Sequence, residues 1–84
     1  MWDEKSAKRL GDTLRDLRKA RGLSQEALAY QAGITKNQLQ LIESGRSTGR
    51  AESAGPSNPR MSTLAGLAAI LETSVADLMT RSQL

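Results

Sequence analysis

Three glycines punctuate the first half of the chain and limit what it can become. Apolar residues recur at helical spacing up to Gly22, then up to Gly33, then up to Gly45, so each run closes on a residue suited to ending a helix. Leu10, Leu14 and Leu17 fall at i, i+4 and i+7 with charge on the other faces, which predicts a first helix from Asp3 to Arg21. Ser24 is the N-cap candidate for "QEALAYQA", residues 25–32, a short helix expected to bury Leu28 and Ala32. A third helix occupies "GITKNQLQLIESG", residues 33–45. "MSTLAGLAAILE" predicts a fourth, with Met61, Leu64, Leu67, Ala68 and Leu71 in register, and Ser74 with Asp77 has the spacing of a capping box opening a fifth that carries Val75, Leu78 and Met79. The pattern describes an all-α fold of five short helices.

The third helix has an unusual polar face. At 100° per residue Leu39 and Ile42 project to one side, with Thr35 beside them and Gln38 and Glu43 on the flanks. Asn37, Gln40, Leu41 and Ser44 fall on the opposite side, and Lys36 sits between the two near the start. Thr35 and Gln38 fit a capping box, and Gly45 supplies the stop. The outer face is therefore rich in groups that donate and accept hydrogen bonds at once.

Composition narrows the function. At 84 residues the chain has room for one domain, residues 1–84, and with 38% hydrophobic residues and only Trp2 and Tyr30 aromatic, aliphatic side chains must build its core. There is no cysteine and no histidine, which removes disulfides, thiolate metal sites and imidazole catalysis; the nine acids are scattered over capping and surface positions. We expect neither enzyme activity nor a cofactor or metal. A formal charge of +3 favours a polyanionic partner. No apolar run approaches the roughly 20 residues of a membrane span, and the charged N-terminus lacks a signal peptide's apolar centre. A cytoplasmic protein without membrane attachment is expected.

"RSTGRAESAGPSNPR", residues 46–60, is rich in Ser, Gly and Pro and has no apolar period. It is expected to be a flexible loop between the third and fourth helices. Asn58 ahead of Pro59, or Ser62, would cap the fourth helix. Arg46, Arg50 and Arg60 outnumber Glu52 here, which suits contact with a phosphate backbone.

Two short helices joined at Gly33 and Ile34 suggest a helix-turn-helix. The run "LRDLRKARGLSQEALAYQAGITKNQLQLIESG", residues 14–45, resembles the Cro and phage-repressor (XRE-like) helix-turn-helix family. Arg18, "GLSQ" at 22–25, "AG" at 32–33 and "IESG" at 42–45 stand in that family's order and spacing, and the likeness resumes at "PRMSTLAGLAAILETSVADLM". Two features depart from it: the long insertion at 46–60, and Glu72 where a glycine often ends the fourth helix.

The resemblance implies a compact phage-repressor-like domain whose helices 2 and 3 form the helix-turn-helix, with residues 36–44 as the recognition helix in the major groove of double-stranded DNA. Asn and Gln match adenine N6 and N7, Lys reaches guanine O6 and N7, and a leucine can only meet a thymine methyl. Lys36, Asn37, Gln40 and Leu41 are the expected base contacts. Gln25, at the start of the second helix, matches the family's phosphate-binding glutamine; Ser44 and Arg46 follow the recognition helix toward phosphate, and Gln38 is a capping residue with phosphate contact as the alternative. The family supplies no contacts for the insertion; Arg50 and Arg60 are expected at phosphate from the loop's charge alone, with a passive surface insertion as the alternative. Arg18 and Glu43 match a structural salt bridge. The implied protein is a transcription regulator, expected to act as a repressor binding a palindromic operator as a homodimer, with Val75 or Met79 at the dimer contact. A restriction-modification controller, an antitoxin, and an adaptor gripping a protein partner are the alternatives.

Overall fold

The computed structural model describes residues 2–47 and 55–84. Its helices are α1 Glu4–Ala20, α2 Gln25–Ala32, α3 Lys36–Ser44, α4 Met61–Ile70 and α5 Val75–Arg81. Local chemistry sets most of their ends. Asp3 caps α1 by accepting from the Ser6 amide, Ser24 caps α2 from Ala27, and Ser74 caps α5 from Asp77. That Ser6 amide holds the Asp3 carboxyl below the ordinary carboxylate range. The cap's contribution is therefore complete above the ordinary aspartate pKa and is lost as pH falls through the lower folded-state value.

The core is aliphatic. Leu10, Leu14, Leu28, Leu39, Leu67 and Leu78 are fully buried, one or two from each helix, and Ala29, Ile42, Leu64, Ala68 and Leu71 complete the cluster. α1 packs on α3 and α5, α2 on α3 and α4, and α4 on α5. The C-terminal end closes on α1: the Arg9 guanidinium donates to the Ser82 carbonyl at 3.0 Å, while the buried Ser82 hydroxyl donates to Leu78 O at 2.6 Å.

Two glycines set how closely α1 meets the end of α3. A Cβ on Gly11 would lie 2.5 Å from the carbonyl oxygens of both Ile42 and Glu43, and one on Gly45 would lie 2.9 Å from the backbone of Lys8. Gly45 also has φ 75°, the left-handed conformation that ends α3. Glu72 takes the same kind of conformation, φ 57°, after α4. The turn that family members often make with glycine is thus made by glutamate at a modest backbone cost, with its carboxylate 2.7 Å from Arg21 in an exposed pair.

Several expectations are corrected. Ala29, not Ala32, is the fully buried alanine of α2. Met61 is 64% exposed, because it opens α4 at the rim and the stripe starts at Leu64. The N-cap of α4 is Arg60, with no side-chain cap, so neither Asn58 nor Ser62 holds that end. Asp77 does not complete a capping box; its carboxylate accepts from the Thr73 hydroxyl at 3.4 Å. Val75 and Met79 are not left over from the core: both pack against it and are partly buried.

The ends of the insertion are stitched together by backbone pairing, although its composition suggested no order. Arg46 and Pro56 form an antiparallel bridge, the Ser47 amide donates to Gly55 O at 2.9 Å, and the Ser57 amide donates to Gly45 O at 3.0 Å. The expected flexibility of the rest falls on residues 48–54, outside the described residues.

Gly11→Ala should destabilise the fold by about 1–3 kcal/mol, since backbone rather than a yielding side chain blocks the added methyl. Gly66→Ala, at a helix-interior site with nothing within 4 Å, should stabilise it by about 0.5–1 kcal/mol. At about 4–8 °C per kcal/mol for a domain this size, thermal melts resolve the opposite signs. Equal shifts in one direction would contradict the described packing.

Candidate nucleic-acid interface

α3 is fixed at both ends and on one side. The Thr35 hydroxyl accepts from the Gln38 amide at 3.0 Å while the Gln38 side-chain carbonyl accepts from the Thr35 amide at 2.8 Å, completing the capping box. Leu39 and Ile42 enter the core. Glu43 is buried too, on the flank next to them, and there it meets Arg18.

That pair is almost dry, with side-chain exposures of 9% for Arg18 and 3% for Glu43. Arg18 Nε donates to Glu43 Oε2 at 2.8 Å and its Nη2 to Oε1 at 3.1 Å, a bidentate arrangement suited to the planar guanidinium. Arg18 Nη1 also donates to the Leu23 carbonyl at 2.9 Å, in the connection between α1 and α2. Glu43 Oε1 accepts further from Gln25 Nε2 at 2.9 Å. One carboxylate thus joins α1, the first residue of α2 and the last turn of α3.

The opposite side of α3 faces outward. Lys36, Asn37, Gln38, Gln40 and Ser44 are exposed. Lys36 Nζ lies 3.3 Å from Glu26 Oε1, both well exposed, a pair worth at most about 1 kcal/mol and easily exchanged for another anion. The Ser44 hydroxyl donates to Leu41 O at 3.1 Å. Leu41 itself is half-buried, more sheltered than its outward wheel position suggested, because it lines a groove of about 500 Å³ between α3 and the returning end of the insertion. Gln38, Pro56, Asn58, Arg46 and Arg60 line the same groove, and both arginines are exposed. Arg50 lies outside the described residues.

The expected site residues therefore gather on and around α3, with Gln25 beside its last turn. Two features had no signal in the sequence. The Gln25–Glu43 hydrogen bond joins positions 18 apart, and the groove exists only because residues 55–57 pair back onto the end of α3.

The helix-turn-helix domain family matches residues 9–80 of this chain, which belongs to that family, in its Cro and phage-repressor (XRE-like) type. Among solved structures it is similar to the restriction-modification controller protein C.AhdI from Aeromonas hydrophila, at 29% identity over 86% of this chain and 94% of that one, with a TM-score of 0.71. It is also similar to SinR, a master regulator for biofilm formation solved in complex with DNA, at 30% identity over 83% of this chain and 97% of that one, TM-score 0.65. The clp gene regulator ClgR from Corynebacterium glutamicum shares the fold at 23% identity, covering 93% of this chain and 72% of that one with a TM-score of 0.77. No curated protein matches. The chain has a DNA-binding helix-turn-helix of the transcription-regulator type. Among the described residues no single helix is long and apolar enough to cross a membrane.

Removing one partner of the Arg18–Glu43 pair strands a buried charge, so Arg18→Met or Glu43→Leu alone should cost roughly 3–5 kcal/mol. The combined Arg18→Met, Glu43→Leu variant should recover much of that loss. Thermal or urea unfolding of the three variants tests this; unaltered single variants would contradict a buried pair.

Proposed function

We propose that this chain is a sequence-specific transcription regulator, acting as a repressor, that binds a palindromic operator as a homodimer with α3 in the major groove. The observation that carries this is the division of α3 into two faces. Its inner face is locked by Leu39, Ile42 and the Arg18–Glu43 pair, while its outer face presents Asn37 and Gln40 exposed to solvent. A rigid helix holding two-headed amides outward suits reading base edges, because readout needs donors and acceptors whose positions do not drift.

In this reading Asn37 and Gln40 pair with base edges, Lys36 leaves Glu26 for guanine or phosphate, and Leu41 packs on a thymine methyl at the mouth of its groove. Gln25 meets phosphate. Glu43 occupies one hydrogen of its side-chain amide, and among the described residues the second has no partner. Gln38 uses its carbonyl in the capping box and keeps its NH2 for phosphate. Ser44 turns its hydroxyl from Leu41 O to phosphate, and Arg46, Arg50 and Arg60 add cationic contacts. The protein works without a cofactor, in the cytoplasm, and as a binding protein rather than an enzyme. SinR, solved with DNA, supports the partner class. The likeness to C.AhdI over 94% of that chain supports a restriction-modification controller as the second reading.

Affinity should fall steeply with salt, by about 0.9 in the slope of log K against log salt for each phosphate neutralised. On a duplex selected from a random pool, Asn37→Ala should erase a preference worth about 1–3 kcal/mol at one base pair. Gln25→Ala should weaken binding to all sequences alike. Sequence-blind or salt-independent binding by the parent protein would overturn this function.

Two copies should occupy each operator, with half-sites about 34–36 Å apart when one helical turn separates them. Sedimentation of the protein with the selected duplex reads the stoichiometry. One chain saturating a full site would contradict the homodimer.

A further inference from the structure

Trp2, the only tryptophan, precedes the first helix and serves none of the roles above. Its half-buried ring packs against the core, and its indole Nε1 donates to the Ser57 carbonyl at 2.6 Å, across 55 residues of chain. Ser57 is itself 5% exposed. Its amide donates to Gly45 O, the residue that ends α3. Both backbone polar groups of Ser57 are therefore used, one by the end of α3 and the other by the N-terminal segment.

The consequence lies three residues on. Asn58, Pro59 and Arg60 continue from Ser57 along the groove beside α3, and Arg60 then becomes the N-cap of α4 without a side-chain cap bond. Arg46, on the facing segment, is bridged to Pro56. The Arg46–Pro56 pairing and the Trp2 indole thus hold the two sides of the groove in register.

We propose that Trp2 is a positioning residue for DNA binding: its indole holds the 56–60 segment against the end of α3, so that Arg46 and Arg60 stand where the sugar-phosphate backbone beside the recognition helix can meet both. This rests on the reading that those two arginines contact phosphate. Trp2 touches no DNA in this scheme. It lowers the cost of ordering the segment on binding, because the segment is already tied down. Base choice stays with the outer face of α3, so Trp2 tunes affinity without tuning preference.

The test uses Trp2→Phe, which keeps an aromatic ring against the core and removes the N–H donor. Binding is measured across a salt series to a random-sequence duplex and to a duplex selected from a random pool, for the parent, Trp2→Phe, the Arg46→Ala, Arg60→Ala double variant and the triple variant. Hydrogen exchange of the Ser57 and Leu39 amides is followed in parallel. Trp2→Phe should weaken binding to both duplexes by about three- to tenfold, the worth of one hydrogen bond, with a shallower salt slope and unchanged base preference. The Ser57 amide should exchange faster while that of Leu39, in the core, does not change. In the background lacking both arginines, Trp2→Phe should have no further effect on binding. If the arginine variant loses affinity and Trp2→Phe does not, or if the Trp2→Phe loss persists in full without the arginines, the positioning role is overturned while the phosphate contacts stand. Faster exchange at Leu39 as well would mean general destabilisation and also overturns it. If the arginine variant binds like the parent, the phosphate reading itself fails.

Discussion

The buried carboxylate of Glu43 is the point on which the site depends. Burying an ion pair is costly unless good geometry and further hydrogen bonds offset the desolvation, and this one has both: a bidentate guanidinium, a backbone carbonyl for the third arginine nitrogen, and the Gln25 amide on the carboxylate. The pair is a weak source of net stability. What it adds is placement, because a charge that cannot be left unpaired fixes how α1, the start of α2 and the end of α3 lie together. Gly11 and Gly45 make that placement possible by letting the α1 backbone touch the end of α3.

From that junction the work divides by face. The inner side of α3 is held by the core and the ion pair, so its outer side can remain polar and exposed at no cost to folding. Gln25 links the two tasks, since the amide proposed to meet phosphate is oriented by the same carboxylate that locks the helix. The insertion adds an edge to this surface. Its ends pair with each other and with Gly45, and they form one wall of a groove whose other wall is Leu41 and Gln38.

How much of this was legible depended on how local the cause was. The starts of α1, α2, α3 and α5 follow from side chains bonding amides three residues on; Ser24, Thr35 and Ser74 were readable as caps, whereas Asp3, expected as the first helical residue, is the cap of α1. Arg18 and Glu43 were identified through the family's spacing; periodicity alone placed Glu43 on a flank and could not supply its partner 25 positions away. Met61 was misplaced because a helical stripe does not reveal where along it the core begins. The stitched ends of the insertion were missed for a different reason. They are ordered by backbone pairing and by an indole donor at the far end of the chain, and neither leaves a trace in the composition of residues 46–60.

The central claim is that the outer face of α3 is the surface that meets DNA. Its most direct test is amide chemical-shift mapping of the full chain during titration with a duplex selected from a random pool. The largest changes should fall on residues 36–44, on Gln25 and on residues 55–60, with the surroundings of Tyr30, the most exposed large hydrophobic side chain among the described residues at 87%, and with α5 little changed. Changes centred on Tyr30 or α5, with α3 unmoved, would contradict the account.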